Sequence, residues 1–214
     1  MNESTQKPKL FSFKNFFHDF VRVTGAPVAL WFRPKRIYTC EKARKIPKGG
    51  LLLIANHTDF ADPVYMMLGV WQRRQYFLVS EELMDGPHGR LFKACRCIRI
   101  DRDNPGVSTF REITQRLKSG ECVSMFPEGK IAADSTKPSP FKSGAVLMAI
   151  RSGVPIIPMY IEKKKNAFGR LRIVIGESVD VRAMYGERPT FAQIDAATKL
   201  LFEREQSLSG RLEK

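Results

Sequence analysis

Short apolar runs alternate with amphipathic segments along most of this chain. Apolar runs typical of buried strands occur at residues 51–55, 75–79, 97–100, 122–126, 154–161 and 171–175. Segments with the apolar spacing of helices separate them at residues 63–71, 81–94, 107–118, 143–151 and 190–208. Parallel strands need a helical crossover between them, so this alternation is typical of an α/β layer. The pattern predicts an α/β fold with a mixed, largely parallel sheet flanked by helices.

A polar segment with the sequence NHTDFAD, residues 56–62, follows the first predicted strand. It contains Asp62 and His57, one of three histidines in the chain. Open α/β sheets bind ligands at the carboxyl ends of their strands, which is where His57 leaves the sheet. An imidazole held by a carboxylate is a common general base. An Asn-His pair can equally do no more than open a helix, so this segment alone leaves both interpretations open.

The start of the sequence is rich in basic and aromatic side chains. Residues 1–48 carry eleven Lys or Arg against three acidic residues. In a predicted helix over residues 10–21, one face holds four phenylalanines, namely Phe13, Phe16, Phe17 and Phe20. Aromatic side chains enter the headgroup boundary of a bilayer while cations meet anionic lipid. We expect residues 1–40 to form an amphipathic, membrane-associated helical segment, although such a helix could also dock on its own protein core.

No apolar run reaches the roughly 18 residues that a membrane-spanning helix needs. The sequence also starts without the apolar stretch and cleavage site of a secretory signal. We therefore expect a peripheral protein on the cytoplasmic face of the cell membrane. In that compartment its four cysteines, Cys40, Cys95, Cys97 and Cys122, are expected to be reduced.

The net charge of +14 indicates an anionic partner. Nucleic acid, an anionic membrane surface and a phosphorylated substrate all carry suitable charge. The sequence lacks an RNA-binding aromatic strand, a GxxG loop and a zinc knuckle, so we expect no nucleic acid. A phosphate-binding loop is not indicated either, because no Ser or Thr follows Gly129-Lys130. A metal hydrolase would need a second histidine near His57, so no metal site is expected.

Three further segments lie at or beside predicted strands: IRIDR at 98–102, FPEGK at 126–130 and VPIIP at 154–158. Each is weak evidence alone. Together with NHTDFAD, and in this order, they resemble the glycerolipid acyltransferase family, in particular its bacterial 1-acylglycerol-3-phosphate acyltransferases. FKSGA at 141–145 also looks like a segment of that family. The resemblance covers roughly residues 45–180 and makes residues 41–214 the expected acyltransferase domain.

The resemblance implies an O-acyltransferase of phospholipid biosynthesis. It would move a fatty acyl group from acyl-carrier protein or coenzyme A to the sn-2 hydroxyl of 1-acylglycerol 3-phosphate, giving phosphatidate without a bound cofactor. His57 would be the general base and Asp62 would hold its imidazole. The implied substrate contacts are Arg102, at the acceptor phosphate, and Glu128, Gly129 and Lys130. The remaining motif positions, with structural roles, are Asn56, Pro127 and Pro155.

The third motif departs from the family pattern. FPEG commonly continues as Thr-Arg in this family, whereas Lys130 and Ile131 follow it here. A phosphate contact made by that arginine would be absent, or would move to Lys130, Lys137 or Lys142. Other acceptors therefore stay open: glycerol 3-phosphate, another lysophospholipid or a lyso-aminolipid. So does a non-catalytic peripheral membrane protein.

Overall fold

The computed structural model describes residues 34–101, 106–132, 138–162 and 170–212. The strands of this part are β1 (Lys35–Tyr38), β2 (Leu51–Ala55), β3 (Gln75–Ser80), β4 (Cys97–Ile100), β5 (Cys122–Met125), β6 (Ile156–Ile161) and β7 (Arg172–Ile175). Its α-helices are α1 (Asp62–Gly69), α2 (Glu81–Asp85), α3 (Gly89–Ala94), α4 (Val107–Lys118), α5 (Gly144–Ser152), α6 (Val181–Tyr185) and α7 (Phe191–Ser209).

The strands form one sheet in the order β1-β7-β6-β2-β5-β3-β4. Every neighbouring pair is parallel except β6 and β7, which are antiparallel. The central strand β2 has all of its residues buried. When helices cover both faces of a parallel sheet, its strands consist of consecutive apolar residues, which explains the Leu-Leu-Leu-Ile-Ala sequence of β2. The predicted α/β fold is confirmed.

Alternate side chains of β2 enter two separate cores. Leu52 and Ile54 point to the face covered by α4, α5 and α7, where they pack with residues such as Ile113 and Leu201. Leu51, Leu53 and Ala55 point to the opposite face and pack with Met66 and Leu68 of α1. The sheet is therefore held from both sides, which fixes the strand ends that carry the polar motifs.

The connections after β2 and β5 leave these neighbouring strands in opposite directions. From β2 the chain enters α1 on one face, and from β5 it reaches α5 on the other. Loops that diverge in this way leave a crevice at the carboxyl ends of the two strands, the usual ligand position in an open α/β sheet. The motifs at residues 56–62 and 126–130 border this crevice.

Some elements differ from the sequence predictions. The helix predicted over residues 81–94 is two helices, because Gly86 and Pro87 interrupt it and a Cβ at Gly89 would lie 1.9 Å from the Met84 carbonyl oxygen. Strand β1 and helix α6 were not predicted. β1 is a short, partly exposed edge strand, and it pairs with β7 although its residues fell in the predicted N-terminal segment.

The predicted helix over residues 10–21 lies outside the described residues, and the division at residue 40 stays a prediction. Within the described ranges, no helix combines the length and the apolarity that crossing a membrane requires. All four cysteines have free thiols. Burial raises the pKa of Cys122 to about 12, so this thiol is a poor nucleophile.

Candidate active site

His57 and Asp62 meet at the carboxyl end of β2, where the chain turns into α1. The Nδ1 atom of His57 lies 3.1 Å from Oδ2 of Asp62. The side chain of Asp62 is 1% exposed and that of His57 is 12% exposed, so the imidazole keeps some access to the crevice. A carboxylate at Nδ1 favours the tautomer that has a proton there and leaves Nε2 as a proton acceptor. This arrangement can take a proton from a bound hydroxyl group.

The carboxylate of Asp62 also shapes the loop that carries His57. Its Oδ2 atom accepts hydrogen bonds from the backbone N–H groups of Thr58, at 2.6 Å, and Asp59, at 2.8 Å. Oδ1 of Asp59 accepts from the N–H of Ala61 at 2.9 Å. These donors lie in the turn that precedes α1, where the backbone forms neither strand nor helix hydrogen bonds and needs side-chain partners. One buried carboxylate therefore fixes both the loop and the imidazole.

Asn56 completes the hydrogen bonding of the sheet where β2 leaves it. Its Nδ2 donates to the carbonyl oxygen of Ile161 at 2.9 Å, and its Oδ1 accepts from the N–H of Ile161 at 2.8 Å. The side chain is 4% exposed and stands in for the next backbone unit of β2. A side chain with both a donor and an acceptor is needed to satisfy both groups of Ile161 at this position.

Contacts from the segment after β5 hold His57 from a second side. Its ring stacks on Phe126 with centroids 4.1 Å apart and 14° between the planes. Its backbone N–H donates to Oε1 of Glu128 at 3.1 Å, and its carbonyl oxygen accepts from the N–H of Ala132 at 2.8 Å. The motifs at 56–62 and 126–130 are thus one unit, although 71 positions separate His57 from Glu128.

The remaining residues of the third motif follow Phe126 at the same edge of the sheet. Glu128 is 5% exposed, and its burial raises the pKa of its carboxyl group, while the N–H groups of His57 and Ser139 act in the opposite direction. Gly129 has φ +77°, a conformation that favours glycine, and Lys142 packs over it. Pro127 is buried and its carbonyl accepts from the N–H of Lys142 at 2.9 Å. Lys130 is exposed.

A polar cavity of about 250 Å³ lies beside the loop at residues 56–58. It is lined by Asn56, Thr58, Glu128, Ala132, Pro138, Tyr160, Gln206 and Ser209. The last three come from β6 and α7, and sequence analysis did not select them. A signal was present in α7, where Glu205 occupies the apolar stripe formed by Ala197, Leu201 and Leu208. A lone carboxylate in such a stripe indicates a buried polar group.

One predicted residue, Pro155, lies away from this arrangement. Pro155 precedes β6 at the opposite edge of the sheet, where its carbonyl accepts from the N–H of Leu52 at 3.1 Å. The structural role of Pro155 stays a prediction. Arg102 lies outside the described residues, two positions beyond the end of β4.

Comparison with known families identifies the chain. The profile of the family described as Acyltransferase matches residues 37–162, more than half of the sequence. The chain belongs to the acyltransferase family. The matched range contains His57, Asp62 and the whole of the third motif. The resemblance inferred from four ordered motifs is confirmed.

Curated relatives agree with this assignment. A 1-acyl-sn-glycerol-3-phosphate acyltransferase of Bacillus subtilis (strain 168) is 26% identical over 171 residues, which are 77% of this chain and 84% of that protein. A protein of the same description from Limnanthes alba is 38% identical over 149 residues, which are 65% of the present chain and 49% of the Limnanthes protein. The chain spans between 40% and 52% of three further bacterial relatives.

The fold also has a solved counterpart. The crystal structure of the 1-acyl-sn-glycerophosphate (LPA) acyltransferase PlsC from Thermotoga maritima aligns with a TM-score of 0.67 over 94% of this chain and 82% of that one. The sequence identity is 21%, so this likeness concerns the fold. The mixed, mostly parallel sheet described above is the architecture that the two proteins share.

Proposed function

We propose that this acyltransferase moves a fatty acyl group from an acyl thioester to the sn-2 hydroxyl of 1-acylglycerol 3-phosphate, with phosphatidate as the product. The observation that carries the proposal is the pair of His57 and the buried Asp62, whose Nδ1 and Oδ2 atoms lie 3.1 Å apart. The names of the relatives from Bacillus subtilis and Limnanthes alba support this acceptor. The donor is an acyl thioester of acyl-carrier protein or coenzyme A.

His57 is the general base of the proposed reaction. Its Nε2 removes the proton of the acceptor hydroxyl as that oxygen attacks the thioester carbonyl carbon, because an alcohol is a weak nucleophile at neutral pH. The tetrahedral intermediate then collapses by breaking its carbon–sulfur bond. The leaving sulfur takes the proton from the imidazolium, which returns His57 to its neutral form. The products are an ester and a thiol, and no acyl-enzyme is formed.

Asp62 and Phe126 serve His57 in different ways. The carboxylate of Asp62 keeps the Nδ1 proton in place and stabilises the positive charge that the ring carries in the intermediate. The stacked ring of Phe126 restricts rotation of the imidazole, so that Nε2 faces one direction. Both effects lower the free energy of the transition state by arranging the base before substrate binds.

The acceptor phosphate is assigned to cations at the same edge of the sheet. Arg102 follows β4, whose carboxyl end lies on the side from which His57 emerges. A guanidinium binds phosphate through paired hydrogen bonds, which suits this function. Lys130 is exposed next to Gly129 and is a further candidate contact. Glu128 and Gly129 shape the wall of the acceptor pocket.

A position on the cytoplasmic face of the membrane is part of the same proposal. Both substrates are anionic, and the acceptor resides in the bilayer, so a chain with net charge +14 is attracted to the surface that contains it. The basic and aromatic residues of the segment 1–40 are the proposed anchor.

The proposal is tested by transfer of labelled palmitoyl groups to 1-acylglycerol 3-phosphate in liposomes. His57→Ala is compared with His88→Ala, which removes an exposed histidine at the start of α3. We expect phosphatidate from the wild type and from His88→Ala. We expect none above background from His57→Ala, because the hydroxyl proton has no acceptor.

The outcomes separate the alternatives. If a folded His57→Ala protein still made phosphatidate, His57 would not be the general base of the reaction. Transfer to glycerol 3-phosphate or to a lyso-aminolipid instead would keep the chemistry and change the acceptor, as the Lys130-Ile131 departure allows. Lipid binding without transfer from any thioester would favour a non-catalytic membrane protein.

A further inference from the structure

Glu205 is a buried carboxyl group outside the four motifs. It lies on the face of α7 that packs against the sheet and is 0% exposed, between the buried residues Leu201 and Leu208. Burying a carboxylate without a compensating cation is costly. In the described part of the chain, the groups that act on its charge are Glu128, Gln206 and Asn56, and none of them is a cation. A carboxyl group buried in these surroundings therefore calls for a specific function.

The contacts of Glu205 lead directly to the loop that carries His57. The backbone N–H of Asn56 interacts with the Glu205 carboxyl, and the Gln206 amide donates to Oε2 at 2.7 Å. The next backbone N–H along the chain, that of His57, donates to Glu128. Two buried carboxyl groups, from α7 and from the third motif, thus lie beside two consecutive N–H groups at the point where β2 ends, and the second of these, that of His57, donates to Glu128.

The surroundings of this pair favour the uncharged form of Glu205. Burial raises the pKa of Glu205 to about 8, and the neighbouring charge of Glu128 acts in the same direction. Tyr160 of β6 faces the same region, and its pKa is raised by burial and by Glu205, Glu162 and Glu128. Glu128 and Glu205 each have one carboxyl oxygen without a hydrogen-bond partner among the described residues. Two adjacent carboxylates in one enclosed region repel each other.

We propose that Glu205 is a positioning residue, whose neutral carboxyl group acts with Glu128 to hold the backbone of Asn56 and His57 in the catalytic conformation. Above about pH 8 the group ionises. A second negative charge then stands beside Glu128, and the repulsion between the two carboxylates displaces the one that holds the His57 N–H. Misplacement of a catalytic group by about 1 Å can reduce the rate about 100-fold. The inference rests on the proposed function, because it assigns His57 as the base.

Three variants test this inference. Glu205→Gln keeps the shape and the acceptor oxygen but cannot ionise, while Glu205→Leu removes the acceptor. Glu203→Gln changes the same charge on the exposed side of the same helix and is the matched control. For each protein, kcat and both KM values are measured between pH 6 and pH 9.5, with palmitoyl-coenzyme A and 1-acylglycerol 3-phosphate in liposomes.

We expect wild type and Glu203→Gln to lose about tenfold in kcat between pH 7 and pH 9, as the group ionises. Glu205→Gln keeps its kcat over that range. Glu205→Leu loses about 10- to 100-fold in kcat at every pH, with both KM values within about threefold of wild type. A merely structural residue would change thermal stability without changing the pH profile.

A second readout does not require acyl transfer. Glu205 ionises near its ordinary value of 4.5 in the unfolded chain and near 8 in the folded protein. Between these values the folded state binds more protons, so stability falls as the pH rises from about 5 to 8. Relative to wild type, the melting temperature of Glu205→Gln should decline less across that range. Equal declines would show that the carboxyl is not buried in its neutral form.

The two proposals can fail separately. A wild-type protein that transfers no acyl group would overturn the proposed function, and this inference with it. A wild type that makes phosphatidate, together with a Glu205→Gln variant that loses activity above pH 8 as wild type does, would overturn the inference alone. So would a folded Glu205→Leu variant that retains its kcat.

Discussion

Replacing Asp62 with Asn removes the negative charge next to His57 while keeping the size of the side chain. One oxygen of Asp62 accepts from Nδ1 of His57, from the N–H of Thr58 and from the N–H of Asp59, at 3.1, 2.6 and 2.8 Å. The oxygen of an asparagine can still accept from backbone N–H groups. We therefore expect the loop to keep its shape and the imidazolium to lose its counterion.

The size of the effect follows from the distance and the burial. Two unit charges 3.1 Å apart attract each other by about 5 kcal/mol at an effective dielectric constant of about 20. The charge of an imidazolium is spread over its ring, so we take about 3–5 kcal/mol for its stabilisation. At about 1.36 kcal/mol for each factor of ten, kcat should fall by roughly 10²- to 10⁴-fold.

The assay compares kcat and KM for Asp62→Asn and Asp59→Asn in the liposome reaction. Asp59 is exposed and its carboxylate accepts from the N–H of Ala61, so it provides a nearby carboxylate without contact to the imidazole. We expect the KM values of both variants to stay within about threefold of wild type, because neither change removes a proposed substrate contact. A folded Asp62→Asn protein with at least a third of the wild-type kcat would refute the assignment of Asp62. So would an equal loss in Asp59→Asn.

Two further changes test other parts of the site. Asn56→Asp replaces the donor to the Ile161 carbonyl with an oxygen and leaves a buried carbonyl and a charge without partners. We therefore expect the free energy of unfolding, measured in urea, to fall by about 2–4 kcal/mol. An unchanged unfolding midpoint would mean that the sheet does not need this side chain. Arg102→Ala should raise the KM for the phosphorylated acceptor at least tenfold and leave the KM for the donor nearly unchanged. Arg111→Ala, at an exposed position of α4, is its control, and equal effects on both substrates would make Arg102 structural.

The sequence predictions were correct where an element depends on residues close together in the sequence, and they failed where it depends on other features. Strand β4 and helix α4 have the predicted bounds, because apolar periodicity is a local property of the chain. The predicted helix over residues 81–94 was wrong, since the interruption depends on Gly86-Pro87 and on the close approach of Gly89 to Met84. β1 was missed because an edge strand of four residues, Lys35–Tyr38, has only a short and partly exposed pattern.

The sequence by itself determined the order and type of the motif residues, and with them the family. It placed His57 and Asp62 in one segment, and a five-residue separation across a strand–helix turn brings their side chains within 3.1 Å. Only the tertiary structure decided what holds this pair in place. The partners are distant in sequence: Ile161 for Asn56 and Glu128 for His57. Contacts of this kind depend on which strands become neighbours in the sheet, and local periodicity carries no information about that choice.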